Sequence, residues 1–340
     1  MRIILVCSGS NDDFYDILTS LTRELYLLGI TERAPHSNVG RNNDLKSLWR
    51  WLSDNAGGTK VQFLADGFYS ADLIEKNRAA VQQAVLTRLS KCCDVDLILS
   101  FGTWAAQDMV ALNTEVPVVA CGVTDPVDAG IVPSATNSGK PNFTVILEPD
   151  RFLRQLELFH MVFAFKRLGI TYTETSTGRS IAAIDQIETA CKRHGVELVR
   201  CNGDFFHNAD NNQIAEQLLL CHKKFVEQHV DAVYITYNSL DDNSLPYVLE
   251  PLIQAGIPSL SQEGSREVHR GVLASISNYS AKEGRFAASL LRGLLEGAKL
   301  HDLPHQLHSP LLLAINVQTA TRIGWNPPLE VLLMVDQFFQ

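Results

Sequence analysis

The sequence predicts an α/β protein made of two similar lobes, each a parallel sheet flanked by helices. Three observations predict it. Short apolar runs alternate with amphipathic helical segments along most of the chain, the pattern of parallel strands joined by covering helices. The alternation is interrupted by an aperiodic stretch, "PSATNSGKPN" (residues 133–142), and then restarts. Finally, 340 residues exceed the size that one core of about 150 residues encloses.

The elements follow in order. "RIILVCS" is a short apolar run that reaches polar turn residues at once, so it reads as a core strand and not as a secretory leader with its longer apolar stretch. Either the protein is cytoplasmic or an export leader has been removed. "DDFYDILTSLTRELYLLG" repeats apolar residues at helical spacing and stops at Gly29, a C-terminal cap. "TKVQFLADG" is a second strand, followed by a helix from about Ala71 to Lys91, the strand "VDLILSFG", the helix "TWAAQDMVAL" and the strand "PVVACGV". After the linker come the helix "DRFLRQLELFHMVF", the strand "RLGITYTE", the helix "SIAAIDQIETACKRHG" and the strand "VELVRCN". The helix "NQIAEQLLLCHKKFVEQ", the strand "VDAVYITYN", the helix "LPYVLEPLIQAG" and the strand "IPSLSQ" complete a second lobe. A strand "GVLASIS", a long amphipathic helix "SAKEGRFAASLLRGLLEGA" and a final strand and short helix in "PLLLAINVQTATRIGW" imply that the chain crosses back between the lobes.

Composition excludes several classes. The net charge of −9 and the scattered Lys and Arg argue against a nucleic-acid partner. No apolar run reaches the roughly 18 residues of a membrane span. The seven cysteines (Cys7, Cys92, Cys93, Cys121, Cys191, Cys201, Cys221) show no CxxC and no Cys/His spacing suited to zinc. Neither a disulfide framework nor a metal site is expected, and the cysteine usage favours a reducing compartment. Cys7 and Cys121 read as small buried hydrophobes, and the adjacent Cys92 and Cys93 as the end of a helix.

Catalytic signatures are absent as well. "CSGSND" lacks both GxGxxG and GxxxxGK[ST], although the following helix is placed to present backbone N–H groups to an anion. There is no GxSxG elbow and no HExxH, and the histidines are dispersed. The pairs Asp12-Asp13 and Asp241-Asp242 flank helix starts, where carboxylates cap N–H groups and complement the dipole. What remains is a set of small polar and aromatic residues at strand ends: Ser8 and Ser10, Thr103 and Trp104, Thr124 and Asp125, Ser176, Tyr237 and Asn238, Gln262 and Glu263. Doubly wound sheets gather such ends on one side, where hydroxyls, isolated carboxylates and aromatic planes suit reversible recognition of a small polar molecule. Trp104 is either a core plug or a stacking wall for that ligand. No catalytic residue and no cofactor is expected.

The segments "DLILSFGTWAAQ", "PVVACGVTDPVDAGIV", "LASISNYSAKEGRFAASLLRGLLEG" and "LLLAINVQTATRIGW" resemble the substrate-binding proteins of ABC transporters, in the group that includes tryptophan- and tyrosine-binding members. The resemblance runs from the first strand to about Pro328. It implies the type I periplasmic-binding-protein fold: two Rossmann-like lobes joined by three crossovers, with a ligand cleft between them. Lobe 1 would hold residues 1–124 and 276–302, and lobe 2 residues 125–275 and 303–340. Thr103, Ala105, Thr124 and Asp125 match the family pattern and carry its ligand-binding role. Three positions depart from it. Trp104 replaces a small residue, Tyr237-Asn238-Ser239 stands where the family commonly has Thr-Asp-Asn, and Thr175-Ser176-Thr177-Gly178 lacks the usual Asn-Pro. Asn238 offers an ammonium only a neutral hydrogen bond, while Trp104 and Tyr237 favour a flat or apolar ligand. A free amino acid, a purine-like base and an aromatic acid all fit.

The implied role is the solute-binding component of an ABC importer: a monomer that closes by hinge motion and delivers its ligand to a permease outside the cytoplasm. The competing readings are a ligand sensor on the same fold, and an enzyme on a racemase-like scaffold that would need a Cys or carboxylate facing the cleft from each side.

Overall fold

The structure, a computed structural model, describes residues 1–36, 39, 44–205, 210–241, 243–277, 280–308 and 311–340. From Met1 the chain runs β1 (Arg2–Cys7), α1 (Asp12–Leu27), α2 (Leu45–Asn55), β2 (Gln62–Ser70), α3 (Arg78–Lys91), β3 (Leu97–Phe101), α4 (Thr103–Leu112), β4 (Val118–Cys121) and β5 (Phe143–Val145). It continues as α5 (Arg151–Phe163), β6 (Arg167–Tyr172), α6 (Ser176–Ile181), α7 (Ile184–His194), β7 (Glu197–Asn202), α8 (Asn211–Glu227), β8 (Ala232–Ile235), α9 (Leu245–Gln254), β9 (Ser259–Ser261), α10 (Ser265–His269) and β10 (Ala274–Ser277). The last elements are α11 (Ser280–Leu295), β11 (Leu312–Asn316), α12 (Val317–Arg322), α13 (Leu329–Leu332) and β12 (Val335–Phe339). Two compact units result, Met1–Pro149 with Tyr279–His308, and Asp150–Asn278 with Ser309–Gln340.

The first unit is a five-stranded sheet in the order β2-β1-β3-β4-β5 with every pairing parallel. Its strands are apolar on both faces because helices cover both. One face buries Ile3, Leu5, Leu99 and Val119 against α1, α2 and α11; the other buries Ile4, Val6, Ile98 and Ala120 against α3 and α4. Gly284 of α11 permits close contact with α1, since a Cβ there would lie 1.9 Å from Ser20 Oγ and 2.2 Å from Ile17 O. That contact fixes the returning helix to the unit it serves.

The second unit is a seven-stranded sheet in the order β12-β11-β10-β9-β8-β6-β7. The pairing of β10 with β11 is antiparallel and the others are parallel. Leu168, Ile170, Ala232 and Tyr234 fill the core on the α5 and α7 face, while Val233, Ile235 and residues of α8 and α9 fill the opposite one. Both units are thus doubly wound sheets, parallel throughout in the first and parallel except for the β10–β11 pair in the second, where the alternation of strands and helices predicts parallel sheets.

The structure corrects the sequence reading at several points. α3 begins at Arg78 and not near Ala71, because Ala71 N and Leu73 N donate to Cys7 O and Ser8 O and hold residues 71–73 as a turn. α2 was not expected, although Leu45, Leu48, Trp49 and Leu52 bury at helical spacing behind an Asp44 cap. β5, β12, α10 and α13 were also not expected. Residues 125–149 and 303–308 fold with the first unit, where β5 pairs with β4 and Leu147 N donates to His305 O, and residues 276–277 fold with the second, within β10. Cys201 of β7 and Cys221 of α8 form a disulfide, which removes the argument for a reducing compartment. Cys92 and Cys93 are unbridged and exposed at the end of α3. Asp241 caps the turn before α9 by accepting from Asn243 N and Ser244 N, each at 2.9 Å, whereas Asp242 lies outside the described residues. No helix among the described residues is long and apolar enough to cross a membrane.

Candidate functional site: the carboxyl ends of the two sheets

In the first unit the carboxyl ends of β1, β3 and β4 lie side by side and are tied together by backbone hydrogen bonds. Ser8 N donates to Phe101 O and Gly102 N to Cys121 O, both at 2.9 Å. Gly102 adopts φ +91°, and a Cβ there would lie 2.5 Å from Ser8 Oγ and 2.7 Å from the Phe14 ring, so only glycine serves. Glycine also leaves α4 without a side-chain N-cap. Ser8 Oγ compensates by accepting from Ala105 N at 3.1 Å.

Thr103, Trp104 and Ala105 form the first turn of α4 and are buried, at 6%, 4% and 3% exposure. The Thr103 hydroxyl and that of half-buried Thr124 bond to no other described residue. Trp104 has the Arg78 guanidinium 5.3 Å over its ring, and Arg78 is held there by Asp108 at 2.7 Å. Burial under a cation suits the plug role. The turn after β4 is built by Asp125, whose Oδ1 accepts from Asp128 N at 3.1 Å, and by Glu283 of α11, whose Oε1 accepts from Gly122 N at 2.7 Å. Ser10 is exposed and its Oγ accepts from Leu45 N at 3.2 Å. The start of α1 does not match the anion site the sequence suggests: Asn11 Oδ1 accepts from Phe14 N at 2.8 Å, and Asp12 and Asp13 occupy the first turn. The helix dipole there is met by the chain's own acceptor and carboxylates.

In the second unit Tyr237, Asn238, Gln262 and Glu263 follow the ends of β8 and β9. Gln262 is 2% exposed; its Oε1 accepts from Tyr237 N and its Nε2 donates to Ile181 O, both at 2.9 Å. It is a strut between two strand ends and α6. Asn238 closes its own turn, donating from Nδ2 to Thr236 O and accepting at Oδ1 from Leu240 N, each at 3.0 Å. Tyr237 is half-buried against the α8–α9 core, and Glu263, next to Gln262 after the end of β9, is also half-buried. Ser176 is exposed at the start of α6, which Thr175 caps by accepting from Gly178 N at 3.0 Å.

Three residues not singled out in the sequence support these rims. Glu283 pins the turn after β4. Gln155, fully buried on α5, donates from Nε2 to the carbonyls of Ser261, Gln262 and Ile276 and accepts from the Tyr234 hydroxyl, so one amide gathers the ends of β8, β9 and β10. Arg266, at the start of α10 next to β9, is half-buried, and desolvation pushes its guanidinium down to about 10. At the end of β9 the buried Ser261 hydroxyl donates to the Glu267 carboxylate and accepts from Glu263 N and Gly264 N, which makes it a brace of the turn. Cys7 and Cys121 are buried in the strands, and burial raises both thiols, Cys7 to about 12. Among the described residues no three His, Cys, Asp or Glu side chains converge as metal ligands.

Two sheets with hydroxyl-bearing turns at their carboxyl ends describe a binding architecture, and comparison with known proteins names it. The family model "ABC transporter substrate binding protein" matches residues 70–338, well over half of the chain. The chain belongs to that family. A tyrosine-binding protein of Clostridioides difficile (strain R20291) is 27% identical over 230 residues, 66% of this chain and 61% of that protein's length. Among solved structures, an ABC domain in complex with L-Trp from Streptococcus pneumonia has a TM-score of 0.73 at 18% identity, covering 99% of each chain. A ligand-free, open substrate-binding protein with adhesive properties from Clostridium difficile has a TM-score of 0.65 at 18% identity, covering 100% of this chain and 99% of that one. These structures show the fold to be that of the type I periplasmic binding proteins.

Proposed function

We propose that this substrate-binding protein is the solute-binding component of an ABC importer, that it acts outside the cytoplasm, and that its solute is an aromatic amino acid or a flat zwitterion of similar size. The family match over residues 70–338 carries the reading. The relatives that bind tyrosine and L-Trp give it a ligand class, and the chemistry of the strand ends agrees. The Thr103 and Thr124 hydroxyls, beside the N-terminal end of α4, suit a carboxylate. Glu263 supplies on the second unit the negative charge toward an ammonium that Asn238 lacks. Tyr237 offers an aromatic surface. Ser8, Ala105, Asp125 and Gln262 set the turns, and Ser176 adds a hydroxyl. Binding by both units would favour a closed state through the extra contacts it makes. The Cys201–Cys221 disulfide fits an oxidising compartment.

The test is a thermal-shift screen of the L-amino acids and purine bases, followed by calorimetric titration of any hit. L-Trp or L-Tyr at 100 times Kd is expected to add about 2.7 kcal/mol and raise Tm by several degrees. A screen in which no aromatic amino acid or flat zwitterion shifts Tm contradicts the proposal.

A further inference from the structure

The segment from α13 through β12 carries an unusual concentration of exposed apolar side chains. Leu329 is 66% exposed, Leu332 38%, Leu333 79%, Met334 50% and Phe338 54%. At roughly 150–200 Å² for each full residue, these amount to about 500 Å² of apolar surface within ten residues. β12 is also an edge strand, hydrogen-bonded on one side to β11. Edge strands in soluble proteins are normally protected by charges or prolines. The opposite edge of the same sheet follows that rule: β7 carries Glu197 and Arg200, ion-paired to Arg167 and Glu188. β12, "VDQFF", has the single charge of Asp336, whose Oδ2 is engaged by Leu313 N at 2.9 Å.

We propose that this edge binds a second copy of the chain, with the two β12 strands pairing antiparallel about a two-fold axis near Gln337. That register places Asp336 opposite Phe338 of the other copy and so avoids a direct like-charge pair, whereas a register centred on Asp336 creates one. The available area supports a second copy as occupant. A standard interface takes about 800 Å² per partner and a homodimer interface is about 65% apolar, so an apolar contribution of about 500 Å² per copy is what such a dimer needs. A two-fold pairing also consumes the edge and leaves no further site for growth. The proposal replaces the monomer expected from the sequence and is independent of the ligand.

Sedimentation velocity of the whole chain over a concentration series tests it, with Leu333→Lys and Phe338→Asp as variants. Both side chains are more than half exposed, so the folded units should persist, and circular dichroism and Tm verify that. The parent is expected to be a dimer at micromolar concentration; Phe338→Asp, which faces Asp336 of the other copy in that register, and Leu333→Lys, which sets a charge into the apolar patch, are each expected to weaken it by about 100-fold or more. A parent that stays monomeric to 100 times that range overturns the proposal. So does a dimer whose dissociation constant both variants leave unchanged, since it would form through another face.

Discussion

Replacing Gln155 by leucine removes the amide that gathers the strand ends of the second unit while keeping a buried side chain of similar volume. The Tyr234 hydroxyl then has lost its acceptor, and the carbonyls of Ser261, Gln262 and Ile276 have lost a shared donor in a fully buried place. Each buried polar group left unmatched costs about 1–3 kcal/mol, and two amide hydrogens cannot fully satisfy three carbonyls, so the total expected is about 3–5 kcal/mol. For a unit of this size that corresponds to a fall in Tm of about 8–15 °C, read by differential scanning calorimetry. Tyr234→Phe alone strands only the Gln155 carbonyl oxygen and should cost about 1–3 kcal/mol. Because the two side chains share one bond, the double variant should fall short of the sum of the singles by about 1 kcal/mol or more. A Gln155→Leu protein within about 1 kcal/mol of the parent, or strict additivity with Tyr234→Phe, refutes the network argument.

Three more outcomes are expected. Gly102→Ala places a Cβ at φ +91° and 2.5 Å from Ser8 Oγ, and should cost about 2–4 kcal/mol by urea denaturation; a neutral result contradicts the turn geometry. His222 is buried, with Nδ1 2.6 Å from Val248 O, and burial holds it down to about 4 from 6.5. As pH falls from 6.5 to about 4 the unfolded chain takes up a proton that the folded chain refuses, so stability is full above 6.5 and falls by about 3 kcal/mol across that window. His222→Gln should flatten the urea midpoint between pH 7 and 4.5, and an unchanged slope counts against the assignment. With the Cys201–Cys221 bond intact, the denatured protein should titrate five thiols, and the folded protein quickly only Cys92 and Cys93. Reducing that bond, which links residues 20 apart, should cost about 3 kcal/mol; seven thiols without reductant would refute it.

Where local pattern decides structure, the sequence was sufficient. β1, β3 and β4 are short apolar runs ended by polar turns, and α1, α8 and α11 repeat their apolar residues at helical spacing. The doubly wound units follow from that alternation. What escaped depends on partners distant in sequence. β5 is three residues long and becomes a strand only by pairing with β4. Residues 71–73 look helical until β1 supplies the acceptors that bend them away. The disulfide joins two cysteines with no spacing motif, brought together by β7 and α8. α2 differs from these, since its Leu45, Leu48, Trp49 and Leu52 spacing is local and legible in the sequence itself.

The candidate site divides in the same way. Strand-end turns identify the rim, but which of its polar groups are available depends on tertiary hydrogen bonds. Gln262 and Asn238 look like ligand residues in sequence and spend their amides on the backbone. Trp104 looks like a stacking wall and lies under Arg78. Thr103 and Thr124 keep their hydroxyls, while Glu283, Gln155 and Arg266 gain importance only from where the fold delivers them.

Native mass spectrometry of the protein as purified, repeated after mild denaturation, tests the central claim most directly. A binding protein with micromolar affinity, about −8 kcal/mol, retains ligand through purification. The account predicts an adduct with the mass of an aromatic amino acid or a similar flat zwitterion, lost on denaturation and restored by adding L-Trp or L-Tyr. A protein that carries no such adduct, and acquires none when these amino acids are added at millimolar concentration, contradicts it.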